Sequence, residues 1–508
     1  PMVGPNYTKP EADIEQNWMQ NNDIITTEDY INYSEWWKQF NDPILDQLIE
    51  KAYKQNLTLI IAGLRVIQAQ ATRGIAISGL FPQQQSISGS YSKINLSENA
   101  TNDGSAIDIN DFSNYQTGFD VVWELDFWGK FRRAIEAANA ELLASVADYD
   151  DVLVSLVAEV AAIYVNLRTF ENRLLVAKKN VDIQENSLKI ANAKFSNGLV
   201  SQLDVTQAES LLNDTKSKIP ILKSEITKSK NSLCILLGTA PHKIDKILAG
   251  SNNIPSPPAE IVIGIPAELI RRRPDIRVAE RELAAQSAKI GIAEADLYPQ
   301  FTITGSIGFR SEDFSDLFKA SSITGLISPG VDWPIFNYGR IRNNIRVQDA
   351  IYQQLIENYE NTAINAQEEV ENSITTFLEA KKRVVLLEKA VEASKLSVKL
   401  SLIQYTDGDI NYTRLLDSQQ FLVTQENLLV ESIGFVSLNL VKLYKALGGG
   451  WEIREGRAFI PDDIKVEMQN RTNWGNLLES KDEYKAIDDA SANPSMHGDI
   501  WWRGAPQF

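Results

Sequence analysis

The chain of 508 residues holds one cysteine, Cys234, and two histidines, His242 and His497. That inventory excludes an intrachain disulfide and a Cys/His zinc centre. Cys234 lies in the apolar run Leu233-Cys234-Ile235-Leu236-Leu237 with no cation near it in sequence, so it reads as a buried thiol, not a nucleophile. Positive charge is also in short supply: 50 Lys and Arg stand against 67 Asp and Glu, a net −17. This argues against a nucleic-acid partner, which needs a cationic footprint, and against electrostatic docking on anionic lipid. No uninterrupted apolar run reaches the ~18 residues expected of a membrane-crossing helix. Neither a Gly-x-x-x-x-Gly-Lys-Ser/Thr loop nor a Gly-x-Gly-x-x-Gly turn after a strand occurs, so nothing points to a nucleotide enzyme. No enzymatic activity, metal or cofactor is expected. The chain opens at Pro1 without an initiator Met, as expected of a processed chain.

The most telling absence is local. Glycine and proline are missing from Lys130 to Asn197 and again from Ile341 to Asp407. Each run predicts a helix of roughly 100 Å at about 1.5 Å per residue. Gly129, Gly198 and Gly238 are matched by Gly339, Gly408 and Gly448 at a constant offset of 210 residues. The chain is therefore a tandem repeat, and its helices must project as a rod or a tube.

Strands accompany each helix. Tyr115, Thr117, Phe119, Val121, Trp123, Leu125 and Phe127 alternate with Gln116, Gly118, Asp120, Val122, Glu124 and Asp126. Ser86, Ser88, Ser90 and Ser92 alternate with Ile87, Gly89 and Tyr91, and the polar stretch from Lys93 to Asp111 joins the two as a hairpin loop. In the second copy Phe301, Ile303, Ile307 and Phe309 alternate with small polar residues, as do Ile327, Val331, Trp333 and Ile335. The length suits a tilted membrane strand; a half-buried soluble sheet shows the same period. Aromatics near the strand ends and small polar residues on one face favour the membrane. Four strands are too few to close a barrel, and open edges are not tolerated in lipid. A cyclic trimer of twelve strands is the simplest closed solution.

The long helices carry narrow apolar seams: Leu153, Leu156, Val157, Val160, Ile163, Tyr164 and Leu167 in one, Leu387, Val391, Val398, Leu402 and Tyr405 in the other. Each reverses at a glycine C-cap, Gly198 or Gly408, and returns from Gln202 to Leu237 or Tyr412 to Leu447. Asp42-Pro43 reads as an N-cap and first helical position, opening a helix to about Ile77. The expected division is an extended arm over 1–42, a first repeat over 43–238 with strands near 84–93 and 115–127, and a linker over 239–265. A second repeat covers 266–448 with strands near 301–310 and 323–336, and an extension over 449–508 lies against the outside of the body.

Three motifs resemble a known family. They are Val3-Gly4-Pro5-Asn6-Tyr7-Thr8-Lys9-Pro10, Trp36-Trp37-Lys38-Gln39-Phe40-Asn41-Asp42-Pro43, and Pro266-Ala267-Glu268-Leu269-Ile270-Arg271-Arg272-Arg273-Pro274-Asp275-Ile276. With the repeat, they make the chain similar to TolC-like outer membrane efflux proteins, in the branch serving RND-type pumps. The resemblance implies an α+β membrane protein of two tandem repeats, each of long helices plus two strands. Three copies would form a twelve-stranded β-barrel continuous with a twelve-helix periplasmic α-barrel and an equatorial domain. It implies a passive exit duct, with a periplasmic adaptor, an inner-membrane RND transporter and outer membrane lipid as partners. A type I protein-secretion duct uses the same fold, and a soluble coiled-coil scaffold is the reading from another class. Members of the branch usually carry an N-terminal lipidated Cys, which this sequence lacks; the resemblance leaves two alternatives, a lipid on a Cys preceding Pro1 or anchoring by the barrel alone. Motif matching assigns the periplasmic gate to Tyr405, Thr413, Asp417 and Gln420, the last often Arg in the family. The resemblance assigns adaptor docking to the helix tips, at Gly198, Leu199, Ser201, Gly408 and Asn411.

Overall fold

The structure, a computed structural model, describes residues 2–11, 14–15, 17–19, 25–27, 33–95, 112–250, 252–258, 262–264 and 272–479. The hairpin loop expected between 93 and 111 lies mostly outside these residues, as do residues 266–271 of the third motif and the end of the extension.

The repeat is visible in element lengths. Helix α2 (Leu57–Ser78) and helix α6 (Pro274–Ala295) have 22 residues each, and the short α5 (Asp245–Leu248) lies in the linker between the repeats. The long helices are α3 (Lys130–Ser196, 67 residues) and α7 (Arg340–Asp407, 68 residues). The return helices α4 (Gln202–Leu236) and α8 (Tyr412–Ala446) have 35 residues each. The six glycines spaced by 210 adopt matching left-handed φ angles: +82° and +83° at Gly129 and Gly339, +68° and +69° at Gly238 and Gly448. Ion pairs repeat as well, with their signs exchanged. Glu185 and Lys216 join α3 to α4 at 2.8 Å, and the residues 210 further on, Lys395 and Glu426, join α7 to α8 at 3.3 Å.

The helix expected from Pro43 to about Ile77 is two helices, α1 (Pro43–Gln55) and α2. Asp42 caps α1, accepting the Ile44 and Leu45 N–H groups. The break falls at Asn56, which takes an extended backbone (φ −65°, ψ 122°). Its side chain accepts from the Leu59 N–H and donates to the Leu236 carbonyl, each at 2.9 Å. One polar side chain thus satisfies the start of α2 and the end of α4.

A short parallel pair joins β1 (Ile25–Thr27) to β4 (Val262–Gly264). The main sheet is antiparallel, in the order β2 (Gln84–Ile94), β3 (Phe112–Leu125), β5 (Gln300–Ser311) and β6 (Ile323–Asp332). The β3–β5 pairing joins the two repeats. The last strand stops at Asp332, short of the expected 336, because Pro334 has no N–H to continue a ladder. Register aligns like with like: Ile87, Phe119 and Ile307 share a row, and Ser86, Asp120 and Ser306 share one on the opposite face. The apolar face is uncovered, with Ile87 84% and Ile327 80% exposed. Aromatics mark both ends: Tyr91, Tyr115 and Phe314 at one, Phe127, Trp128, Tyr298 and Phe301 at the other.

The core is built on α3, which packs against α2, α4, α6 and α8. By length and composition α3 could cross a membrane, but 67% of its apolar stretch is buried among these neighbours, which marks it as core. The expected arm ends in a 3-10 turn, Trp36–Phe40, rather than extended chain. Trp36 stacks on Tyr444 at 5.1 Å, and the Tyr444 hydroxyl donates to Gln39. Arg273 of the third motif pairs with Asp275 and Glu369 and donates to the Ala446 carbonyl at 2.6 Å. Asp150 of α3, fully buried, accepts from Arg454 and Arg277. Beyond Trp451–Arg454, helix α9 (Asp462–Arg471) seats Met468 with Ile460, Leu478 and Ile67 of α2.

Next to Asp150, burial and then the Asp275 carboxylate push the Asp151 carboxyl up to about 6. The unfolded value is about 3.9, so folding favours the protonated form. The penalty is present above about pH 6 and vanishes below about pH 4. Stability should therefore rise as pH falls through that window, and Asp151→Asn should flatten the rise. Thermal midpoints against pH would show it; parallel curves for the two proteins would refute it.

Candidate functional site

The far ends of the two helical hairpins form a small core of their own. Ala191 of α3, Ala208 of α4, Tyr405 of α7, and Tyr412 and Leu415 of α8 are buried together. Tyr405 is 1% exposed, its ring 5.2 Å from that of Tyr412 at 73°. Its hydroxyl donates to Asp204 of α4 at 3.3 Å, and the Lys194 ammonium sits 5.0 Å over its ring. Burial, then the Asp204 charge, raises the Tyr405 hydroxyl well above the ordinary tyrosine range and pushes Tyr412 up to about 12. Both stay protonated, so Tyr405 can only donate to the carboxylate. A hydrogen bond to a charged acceptor is worth about 1.5–3 kcal/mol, small enough to be undone by a binding event.

The four residues assigned to the gate do not form one group. Thr413, Asp417 and Gln420 follow one another at spacings of four and three along α8, on one exposed face. Tyr405 is buried away from that row and holds Asp204, not Asp417. Asp204 and Lys194 are the residues that reading the sequence missed. The signal was the repeat: Asp204 lies 210 residues before Arg414, in the turn after the same glycine.

The tips themselves are bare. Gly198 and Gly408 have φ +72° and +90°, and a Cβ built on either meets nothing within 4 Å. Leu199 is 71% exposed. Ser201 caps α4 by accepting the Leu203 N–H, and Asn411 caps α8 by accepting the Arg414 N–H. Both turns are thus fixed by their own caps and offer an unobstructed backbone. Among the described residues, no group of three or more His, Cys, Asp or Glu is placed to hold a metal.

The sequence profile of the family described as Outer membrane efflux protein matches residues 48–239 and 265–449, one segment per repeat. The chain belongs to this family. Nodulation protein T of Rhizobium leguminosarum bv. trifolii is 31% identical over 440 residues, covering 84% of this chain and 90% of that one. Toluene efflux pump outer membrane protein TtgF of Pseudomonas putida is 30% identical over 460 residues, covering 88% and 94%. The outer-membrane channel OprN superposes with a TM-score of 0.82 at 30% identity, covering 89% of this chain and 99% of that one. The fold is that of the TolC-like outer membrane channels. As a member of the family, the chain sits in the outer membrane by its sheet, with its helices in the periplasm. Family membership speaks for a duct rather than an enzyme.

Proposed function

We propose that this efflux protein is the exit duct of a tripartite pump, built when three copies close around one axis. The observation that carries the reading is the four-stranded sheet, with its apolar face uncovered and both outer strands unpaired among the described residues. Three such sheets make a twelve-stranded barrel, and three sets of α3, α4, α7 and α8 make a twelve-helix tube. Lipid covers the apolar face, and closure removes every edge. Substrate passes through passively. A periplasmic adaptor meets the bare tips at Gly198, Leu199, Ser201, Gly408 and Asn411, and an RND transporter supplies the drive from the inner membrane. Extraction should need detergent, and light scattering should give three times 56.8 kDa. A monodisperse monomer without detergent would overturn the reading.

The tip supports a gate of two parts. Tyr405 and Asp204 latch the hairpins within one chain, while the row Thr413, Asp417 and Gln420 faces the axis. Three Asp417 carboxylates near one axis attract cations and repel one another. Asp417→Ala should raise single-channel conductance in planar bilayers and lower cation preference. Unchanged conductance and selectivity would remove Asp417 from the aperture.

A further inference from the structure

Helices α4 and α8 both pack on α3 and only slightly on each other. A trough of about 360 Å³ runs between them, walled by Val176 and Ala177 of α3, Ile221 and Leu222 of α4, and Val423 and Leu428 of α8. Pro220, inside α4, has no N–H for the Lys216 carbonyl and crowds it with its ring, which weakens the helix at this level. At the matching places of the second repeat stand the larger Leu387 for Ala177 and Val430 for Pro220. At the end of the trough nearer the tips, buried polar atoms gather without partners. Thr215, which lines it, is 1% exposed, and its hydroxyl bonds to nothing among the described residues. Thr206 and Thr227 of the same helix instead donate to the carbonyl four residues back. The Glu185–Lys216 ion pair brings Gln184 to the level of Thr215. Gln184 is 2% exposed, and neither polar atom of its amide is bonded among the described residues. Gln419 donates from Nε2 to Ser187 at 2.6 Å, but its Oε1 accepts nothing there. Burying a hydroxyl and amide atoms in this way costs free energy unless a partner meets them.

We propose that the trough binds a neutral amphiphile, its apolar body lying between α4 and α8 and one hydroxyl, carbonyl or amide turned toward Thr215 and Gln184. The volume falls in the range of small-molecule sites, and the mix of apolar walls with a few convergent polar groups is what such sites share. Thr215 can donate or accept, and the Gln184 amide offers both a donor and an acceptor. The rim selects against charge. Arg173 already donates to Asn427 at 2.8 Å and lies 3.7 Å from Glu431, and Lys218 is paired with Asp214 at 2.8 Å. An ionic headgroup would therefore leave water without gaining an unmatched counter-charge. A bound molecule bridges the return helices of the two repeats at the level where Pro220 weakens α4. The site is contained in one chain and does not rest on closure of the trimer.

The test uses 1-octanol carrying a photoreactive diazirine, added to the full chain in polymer-bounded lipid discs so that no detergent tail competes. After illumination, peptide mass spectrometry should place saturable label in residues 173–180, 215–222 and 423–428. Unlabelled 1-octanol should displace it roughly tenfold better than ionised octanoate, which carries its charge into the trough uncompensated. Thr215→Val should bind the probe about fivefold more weakly, the loss of one neutral hydrogen bond. Ala177→Phe, whose ring fills the trough from the half-buried Ala177 position, should abolish label in all three segments. Label confined to the lipid-facing strands overturns the site. Equal displacement by octanoate overturns the neutral ligand. Unchanged affinity in Thr215→Val overturns the role of the buried hydroxyl, whether or not Ala177→Phe folds.

Discussion

Replacing Asp150 by alanine should cost about 3–5 kcal/mol, the penalty of removing one partner from a buried ion pair. The carboxylate is 0% exposed and receives Arg454 at 2.5 and 3.2 Å and Arg277 at 3.4 Å. Burial raises its pKa, so the charge is tolerated only because the two guanidiniums lie against it. Both are further fixed on aromatic faces, Arg277 over Trp451 and Arg454 over Phe459. Removing the acid takes away the charge they were set against and unpins the segment that carries Phe459 into the core. A large drop in thermal midpoint and poor recovery of trimer are expected. Asp150→Asn should fall nearly as far, because shape alone does not balance two cations. A midpoint within a degree or so of the unaltered protein would show that the cluster is dispensable.

Gly308→Val should prevent the barrel from forming. A Cβ built on Gly308 would stand 2.3 Å from the Thr117 carbonyl oxygen and 2.6 Å from the Gly118 Cα. These are backbone atoms of β3, and no rotamer change moves them aside. The clash exceeds ordinary overpacking of about 1–3 kcal/mol, and it falls in the one pairing that joins the two repeats in the sheet. Gly305→Val, three residues earlier on the same strand, meets nothing nearer than 3.9 Å and should insert normally. Heat-resistant oligomer on a gel separates the two variants. Equal recovery would mean that β3 and β5 do not approach as closely as described.

Much of the architecture is legible in residue spacing alone. Runs free of glycine and proline mark α3 and α7, because nothing in them interrupts helix propagation. The glycines at their ends need a left-handed φ that few other residues adopt. Alternation from Tyr115 to Leu125 marks β3, since one face meets apolar surroundings and the other does not. Asn56 was not legible as a break. It sits in an amphipathic stretch that could run on as one helix, and only the end of α4, 180 residues away, makes its capping role decisive. The pairing of Asp150 with Arg454 was hidden for the same reason, across 304 residues. At the tip, Tyr405 belongs to the seam of α7, but its burial depends on α4, whose approach no local pattern encodes. The exposed row Thr413, Asp417 and Gln420 came from motif resemblance, and its helical spacing is local.

The stack of Trp36 on Tyr444 sets an order of events during biogenesis. A chain exported N-terminus first delivers its tryptophan pair early and the tyrosine that shields it only after more than four hundred further residues. Until then a large aromatic surface stands in water, where it invites aggregation or capture by a chaperone. A chain cut short anywhere before α8 never hides that surface. Closure of the Trp36–Tyr444 stack therefore waits until nearly the whole polypeptide has been delivered.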